Sequence, residues 1–554
     1  MSDHPAFPPP LWALWRNPIV VRCWRSRMRA RVFVPWAIVT VVLATFLFLT
    51  VYNAVENRIG KDSVTAARAA FIPILVFQGI LLLLTGTGAV TASLLQEEEE
   101  GMIEFQRLTP LPPAWKMVGY LFGLPVREYV LFALTLPFTL IGLWMGKLPI
   151  ESLLKVYAVL FTSALLYHLT GYCAGFVIRA RRFGARIVQA AVIVLYLALP
   201  QLSNFGYIVF EHLTVRPVFR EQLSLPLRQS FAPQLPRDEK TEVAFYGLEL
   251  PQFVFSLTIQ GALILVFLSM IRRKWIDGGR HAIGKGTALG VLAGTAAVVL
   301  GNLLPLIQDG RVFPSTLMKS SGPGFTRVLL RSLVPKSSAA EAGMLVGLLS
   351  MVLLLLGVFL LLQILPTRAE AIRGWRRSVR LGRSRLPWRA DEASALPWAA
   401  VFGLAAGAAV WIFGHELGVS RWLEGKMFAL EMVPWVALLP VFAFTAVVAA
   451  TEAWEKKGTF AVLMGFWVVP ALVMLVLGAA SDQGASIGFY LGALSPLSAP
   501  FCAMTATDAQ WAEAGVHGHV AFFGGLSVQA VVSLYALVVW FRKRREIRAA
   551  AVAV

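Results

Sequence analysis

The chain alternates between long apolar runs and short polar or basic segments. A helix of about 20 apolar residues crosses a hydrocarbon layer about 30 Å thick. The pattern predicts twelve spanning helices, the last just before the basic C-terminal tail and the others at about 32–52, 69–95, 126–146, 152–178, 187–209, 250–271, 286–306, 342–365, 396–413, 428–450 and 460–479. A further apolar run, 484–505, contains Pro496 and Pro500. Because prolines interrupt a straight helix, we predict a broken, re-entrant helical hairpin there.

The composition is that of an integral membrane protein. Of the 554 residues, 57% are hydrophobic and 15% are charged, and the mean hydropathy is +0.68. These values lie outside the range of ordinary soluble domains. The spans repeat loosely in layout, so we predict an all-α polytopic membrane protein with about twelve transmembrane helices in two six-helix halves. The predicted domains are a tail and amphipathic segment at 1–31 and the two halves at 32–280 and 281–554.

The net charge of +19 follows the membrane pattern and does not indicate nucleic-acid binding. Lys and Arg residues gather in short segments beside the spans, as in cytoplasmic loops. The most basic of these loops, 366–395, has eight arginines, whereas residues 458–541 contain no Lys or Arg. We therefore predict that both termini are cytoplasmic, and that the chain has no nucleic-acid partner.

A basic, tryptophan-containing segment at 11–30 precedes the first span. Its three tryptophans, Trp12, Trp15 and Trp24, are interspersed with arginines. A helix of this composition lies in the headgroup layer, with its tryptophans buried and its arginines extended toward water. Membrane lipids are therefore a predicted partner of this segment.

The catalytic motifs in the sequence are all incomplete. Residues 279–287, GRHAIGKGT, have the spacing of a phosphate-binding loop, but Gly286 replaces the required Ser or Thr and a membrane span precedes the motif. His415 begins a sequence like that of zinc proteases, but Val419 stands where the second histidine belongs. We predict no catalytic, cofactor-binding or metal-binding residue, and no enzyme activity for this chain alone.

His168 lies in the middle of a predicted span, where an ionisable side chain needs a partner. Two interpretations stay open from the sequence. His168 could contact substrate along a transport path, or it could be a neutral histidine that is hydrogen-bonded to a neighbouring helix. The second is the simpler structural role.

The segment 96–113, QEEEEGMIEFQRLTPLPP, is more patterned than the end of a spanning helix requires. Four glutamates are followed by a glycine, a further glutamate and a Thr-Pro-Leu sequence. The residues concerned are Glu97, Glu98, Glu99, Glu100, Gly101, Glu104, Arg107, Thr109, Pro110 and Leu111, with Gly119 further on.

This ordered set resembles the cytoplasmic segment after the second span in permeases of type 2 ABC exporters. The N-terminal segment, with Asn17, Pro18 and Trp24, is similar to the elbow helix of that family. The likeness is good across about 11–272 and weaker beyond it, where no second Thr-Pro-Leu segment occurs.

The resemblance implies a permease of the bacterial inner membrane whose coupling helix, at about 97–109, docks on a separate ABC ATPase subunit. That partner would hold ATP and Mg²⁺, and a second permease chain could complete the transport path. In such a protein the charges fix the register of the coupling helix and the prolines end it.

Two other function classes stay open from the sequence. A polytopic enzyme or scaffold acting on lipids would need a cluster of carboxylates or histidines at one membrane face. A secondary transporter would need buried ionisable pairs in its spans. The sequence displays neither pattern clearly.

Overall fold

The computed structural model describes residues 10–552 except 12, 178–183, 232–241, 309–337, 384–385, 422, 424–429, 481 and 506–514. Residues 1–9 of the predicted N-terminal tail and residues 384–385 of the predicted basic loop therefore lie outside the described part. Contacts divide the chain into two compact units. Unit 1 comprises the described residues up to Ser203, together with Ile208–Val243 and Glu249–Ala282. Unit 2 comprises Asn204–Tyr207, Ala244–Leu248 and the described residues from Ile283 onward.

The helices in the first part of the chain are α1 (Pro18–Arg27), α2 (Ala30–Asn53), α3 (Ser63–Gly79), α4 (Thr87–Glu99), α5 (Met102–Leu108), α6 (Pro113–Gly123), α7 (Val126–Gly146), α8 (Ile150–Val177), α9 (Gly184–Ala198), α10 (Arg216–Phe231) and α11 (Gln252–Ile276). A π-helical segment, Ile80–Gly86, joins α3 to α4, so the two form one continuous rod of 37 residues. Strands β1 (Glu242–Phe245) and β2 (Leu248–Pro251) form a two-stranded sheet before α11.

The helices from residue 285 onward are α12 (Lys285–Gln308), α13 (Ser338–Ile364), α14 (Arg368–Arg380), α15 (Leu396–Gly418), α16 (Val433–Val462), α17 (Val469–Ala480), α18 (Asp482–Gly492), α19 (Ala499–Met504) and α20 (Gly518–Val552). The segment predicted as a broken helix is divided into α18 and α19, and Pro500 lies in the first turn of α19. The all-α, polytopic character predicted from the sequence is confirmed at this level.

Among the described residues, eleven helices are long and apolar enough to cross a membrane, against the twelve predicted. The difference arises at Leu430–Gly478, a run of 49 residues that counts as one helix. Its backbone leaves the helical conformation at Glu455, with φ 53° and ψ −140°. An unbroken helix of that length would extend about 70 Å, more than twice the hydrocarbon thickness.

The fifth predicted span is shorter than expected. The sequence predicts a helix over about 187–209, but α9 ends at Ala198 and a 3₁₀ segment, Leu199–Phe205, follows. Pro200 accounts for the ending, because it has no N–H to donate and its ring crowds the preceding turn.

Unit 1 has a polar cluster within its apolar core. The Gln78 side chain donates to the hydroxyl oxygens of Thr135 and Thr139, each at 2.9 Å. The Tyr157 hydroxyl donates to the Gln78 amide oxygen. In a nonpolar surrounding these side-chain hydrogen bonds join α3, α7 and α8 and fix their relative rotation.

Candidate functional site

The segment after the second span is divided by a reversal of the backbone at Gly101. Helix α4 continues through Glu99, and Gly101 then adopts a left-handed conformation with φ 72°. Helix α5 begins immediately afterwards and ends after seven residues, at Leu108. The coupling helix expected at about 97–109 is therefore not one helix. It consists of the end of α4, the turn at Gly101 and the short helix α5.

Helix α5 has one apolar residue facing inward and two facing outward. Ile103 is buried in a cluster that contains Met117 and Tyr120 of α6. Phe105 and Leu108, three residues apart and so on neighbouring positions of the helix surface, are 61% and 86% exposed. The short helix thus presents a small apolar surface, formed by Phe105 and Leu108, with the exposed Glu104 immediately before Phe105 in sequence.

The end of α5 is fixed to α6 by a buried lysine. The Lys116 ammonium donates to the main-chain oxygens of Arg107 at 3.3 Å and Thr109 at 3.1 Å. A cation is favourable at the carboxyl end of a helix, where main-chain oxygens have no helical partner. Burial, and then the positive charge of Arg107, lowers the pKa of Lys116. Beyond Thr109, whose backbone is extended, Pro110 lies in the turn that leads to α6.

The four consecutive glutamates have different environments. The carboxylate of Glu97 lies 2.5 Å from the Arg22 guanidinium and accepts a hydrogen bond from the Tyr120 hydroxyl. Its side chain is 16% exposed. Burial and the nearby Glu97 carboxylate raise the pKa of Tyr120. Glu97 therefore joins α1, α4 and α6, and its contact with a partner protein stays a prediction.

The other three glutamates remain at the surface. Glu98, Glu99 and Glu100 are exposed at the end of α4. The Glu100 carboxylate accepts a hydrogen bond from the Gln96 side chain at 2.8 Å, four residues earlier on the same helix. These carboxylates keep their negative charge accessible beside α5.

Arg107 has contacts within the chain, and its role in docking stays a prediction. Its guanidinium forms an ion pair with Glu104 and is largely buried. A Cβ on Gly278 would lie 2.5 Å from its Nη1 atom, so the guanidinium occupies the space that a side chain there would need. Arg107 therefore fixes α5 to the chain after α11, and Glu104 is the member of the pair that faces outward.

The N-terminal segment forms a helix that packs on this same region. The Asn17 side chain accepts from the Ile19 N–H at 3.0 Å and donates to the main-chain oxygen of Trp115 at 2.8 Å. Pro18 is the first residue of α1, a position where its missing N–H has no cost. Trp24 of α1 is exposed. These contacts join α1 to α6 beside α5, and the role of α1 as an elbow helix stays a prediction.

His168 is fully buried, with both ring nitrogens within hydrogen-bonding distance of other groups. Its Nε2 lies 2.9 Å from the main-chain oxygen of Leu82, and its Nδ1 lies 3.0 Å from the Tyr129 hydroxyl. Since the Leu82 oxygen can only accept, Nε2 carries the proton and Nδ1 accepts from Tyr129. Leu82 belongs to the π-helical segment, so His168 satisfies a main-chain group there. The geometry favours the structural role over the substrate path.

Replacement of His168 by leucine is expected to destabilise the protein. The change removes the acceptor of the Tyr129 hydroxyl and the side-chain donor to the Leu82 oxygen in an apolar interior, at a cost of about 1–3 kcal/mol. Thermal unfolding of the purified protein in detergent measures this loss. Tyr129→Phe removes only the hydrogen bond to His168 Nδ1 and keeps the one between Nε2 and the Leu82 oxygen. It should therefore lower the melting temperature less. Wild-type stability of His168→Leu would contradict the structural role.

The lysine of the phosphate-loop-like sequence has a different use. Lys285 is the first residue of α12 and is buried. Its ammonium donates to the main-chain oxygens of Ala390 and Ala393 at 2.8 and 2.5 Å. The lysine that would contact phosphate in such a loop is thus hydrogen-bonded within unit 2.

An apolar cavity of about 420 Å³ lies in unit 1, and no sequence pattern predicted it. Its walls come from α3, the π-helical segment, α8, α9 and α10, and Arg216 lies among its lining residues. Helices distant in sequence create this space, so no local motif marks it. In a part of the chain that spans a membrane, such a cavity can hold an apolar group.

Among the described residues, no group of three or more His, Cys, Asp or Glu side chains is arranged to hold a metal ion. Comparisons with protein-family models, with curated proteins and with solved structures found no match to this chain. The functional conclusion therefore depends on the sequence pattern and on the geometry around α5.

Proposed function

We propose that this chain is the membrane-spanning permease subunit of an ATP-binding cassette exporter in the bacterial inner membrane. A separate ATPase subunit would supply the energy and hold ATP and Mg²⁺. The main support for the proposal comes from α5, a short helix outside the spans. Its inner side is buried, and its outer side exposes Phe105 and Leu108. The ordered sequence likeness of 97–111 to the coupling segment of that family supports the same function.

The contacts of α5 suit it to transmit force. The Lys116 hydrogen bonds fix its carboxyl end to α6, and the Arg107 side chain packs against Gly278 after α11. The Arg22–Glu97 pair joins the end of α4 to α1. Because these contacts connect α5 to several helices, a displacement of α5 by a closing ATPase would be passed to the membrane helices together.

We also propose that Leu430–Gly478 crosses the membrane twice. The break at Glu455 lies beside Lys456 and Lys457, which are exposed. Two spans separated by a basic turn fit the charge distribution of a cytoplasmic connection. The total is then twelve spans with both termini in the cytoplasm, and a second copy of the chain could complete the transport path.

Reversal of two exposed charges tests the proposal. The double change Glu100→Lys and Glu104→Lys should lower the stability only slightly, because Glu104 is 74% exposed and ion pairs with an exposed member contribute about 0–1 kcal/mol. At a desolvated interface the same change costs roughly 2–5 kcal/mol, so the variant should lose its ATPase. The measurement is recovery of a P-loop ATPase, identified by mass spectrometry, with affinity-tagged protein at equal membrane abundance. Undiminished recovery would contradict a docking role for these carboxylates.

A further inference from the structure

The amphipathic helix α14 and the end of α20 lie together in unit 2. Helix α14 begins with a capping box, in which Thr367 and Glu370 satisfy each other's main-chain N–H groups. Its Trp375 is buried, whereas Arg373 and Arg380 are exposed. The fold thus packs a basic helix against the basic C-terminal helix, which is unfavourable unless negative charge is supplied.

A cavity of about 510 Å³ lies where these two helices meet. Its lining residues are Trp375, Leu386, Phe541, Arg544, Arg545 and Arg548. The four lining residues from Phe541 to Arg548 belong to α20. They lie three, one and three residues apart, so they share one face of the helix. Three guanidinium groups therefore converge on one concave space.

No carboxylate is among the described residues that line this cavity. The guanidinium carbon of Arg544 lies 4.8 Å from the centre of the Trp540 ring, and that of Arg548 lies 4.5 Å from the centre of the Trp375 ring. Such contacts with aromatic faces orient a guanidinium group but do not neutralise its positive charge. Glu546, the nearest carboxylate in sequence, pairs with Lys543 at 2.9 Å.

Two carboxylates line an adjoining, smaller cavity, and both have partners of their own. Glu392 accepts from Arg377 at 2.9 Å. Glu452 accepts from the Ser394 hydroxyl and the Ala395 N–H at 2.8 and 2.7 Å, and from the Trp540 ring N–H at 2.6 Å. Glu452 also acts electrostatically on Arg544. With three arginines against this one carboxylate, the larger cavity still keeps a surplus of positive charge, which suits an anion with several oxygen acceptors.

The position of the cavity along α20 indicates where its ligand comes from. Helix α20 has 35 residues and is about 52 Å long. Its apolar part, which ends near Trp540, is long enough to cross the hydrocarbon layer, so the arginines follow immediately at the headgroup level. Phe541 lies on the same face and is exposed, next to where an acyl chain would enter.

We propose that this arginine-lined cavity binds the phosphate group of an anionic phospholipid. Guanidinium groups donate paired hydrogen bonds to phosphate oxygens, and basic pockets at the cytoplasmic surface are suited to anionic headgroups. The ligand would neutralise the convergent arginines and hold α14 against α20 at the membrane surface. This site is independent of the proposed ATPase partner.

The test measures binding of fluorescent phosphatidylglycerol to the purified full-length protein in detergent. The triple variant Arg544→Gln, Arg545→Gln and Arg548→Gln should bind on the order of a hundredfold more weakly than wild type, because each arginine near an anionic lipid contributes roughly fivefold. The matched control, Arg373→Gln with Arg380→Gln and Arg542→Gln, removes the same charge from positions that do not line the cavity. It should bind like wild type.

Single variants and competing ligands test the site further. Arg545→Gln, at an exposed residue, should weaken binding about fivefold with unchanged thermal stability, whereas Arg542→Gln should leave binding unchanged.

Phosphatidylcholine, which has no net charge, should not compete. Competition by glycerol 3-phosphate at concentrations similar to the lipid would assign the site to a soluble phosphate ester and overturn the lipid source. Equal weakening by both triple variants would show a diffuse charge effect and overturn the site.

Discussion

Replacement of both Phe105 and Leu108 by aspartate is expected to abolish association with the ATPase while the membrane part stays folded. Both side chains are already exposed, so their replacement removes no packing inside the chain. Hot-spot residues near the centre of a protein interface contribute about 2 kcal/mol or more each, and we expect Phe105 and Leu108 to act as such residues. The double variant should therefore bind its ATPase at least about a hundredfold more weakly.

A leucine elsewhere in the chain provides the control for this prediction. Leu248 of β2 is 62% exposed and belongs to unit 2, whereas α5 belongs to unit 1. Leu248→Asp should leave ATPase recovery at the wild-type level, whereas Leu108→Asp alone should lower it markedly. The measurement is recovery of the ATPase and ATP hydrolysis by the isolated complex. Equal recovery with both single variants would contradict the role of the Phe105–Leu108 surface.

Reversal of the charge at Glu97 is expected to destabilise the protein, whereas the same change one residue later should not. Glu97→Lys places a second cation beside Arg22 and removes the acceptor of the Tyr120 hydroxyl. Because the pair is only partly buried, we expect a loss of about 1–3 kcal/mol. Glu98→Lys changes an exposed side chain and should stay within about 0.5 kcal/mol of wild type.

The two variants have equal charge, so their difference reports the local contact. Melting temperature and membrane abundance measure the effect. Exchange of the partners, Arg22→Glu with Glu97→Arg, should recover part of the lost stability because it restores an ion pair. Equal melting temperatures of Glu97→Lys and Glu98→Lys would show that Glu97 is another surface carboxylate. The role of the Arg22–Glu97 pair in joining α1 to α4 would then be contradicted.

The sequence predicted the spans better than it predicted the contacts between them. Helix α7 begins and ends where expected, at 126 and 146, because Pro125 precedes it and Lys147 adopts a left-handed conformation after it. The end of α4 was foreseen from the glutamates, but the turn at Gly101 was not placed. The π-helical segment Ile80–Gly86 has no sequence signal, since its conformation depends on helices packed around it.

The candidate site was found in the sequence, although the roles of its residues were not. Consecutive residues on a helix point about 100° apart, so of four adjacent glutamates only some can face outward. Which of them does so depends on Arg22 and Tyr120, which come from other segments. Phe105 and Leu108 could have been recognised from their spacing of three in a segment outside the spans. In the sequence, the neighbouring charged residues are more prominent than these two apolar residues.

Site-specific photo-crosslinking at Leu108 tests the proposed docking most directly. A photoreactive amino acid at Leu108 in living cells should crosslink this chain to a P-loop ATPase, identified by peptide mass spectrometry. Trp144, which is 83% exposed near the opposite end of α7, serves as the matched position. An ATPase adduct is expected at Leu108 and none at Trp144. Absence of an ATPase adduct at Leu108, at wild-type abundance of the protein, would contradict the proposed function.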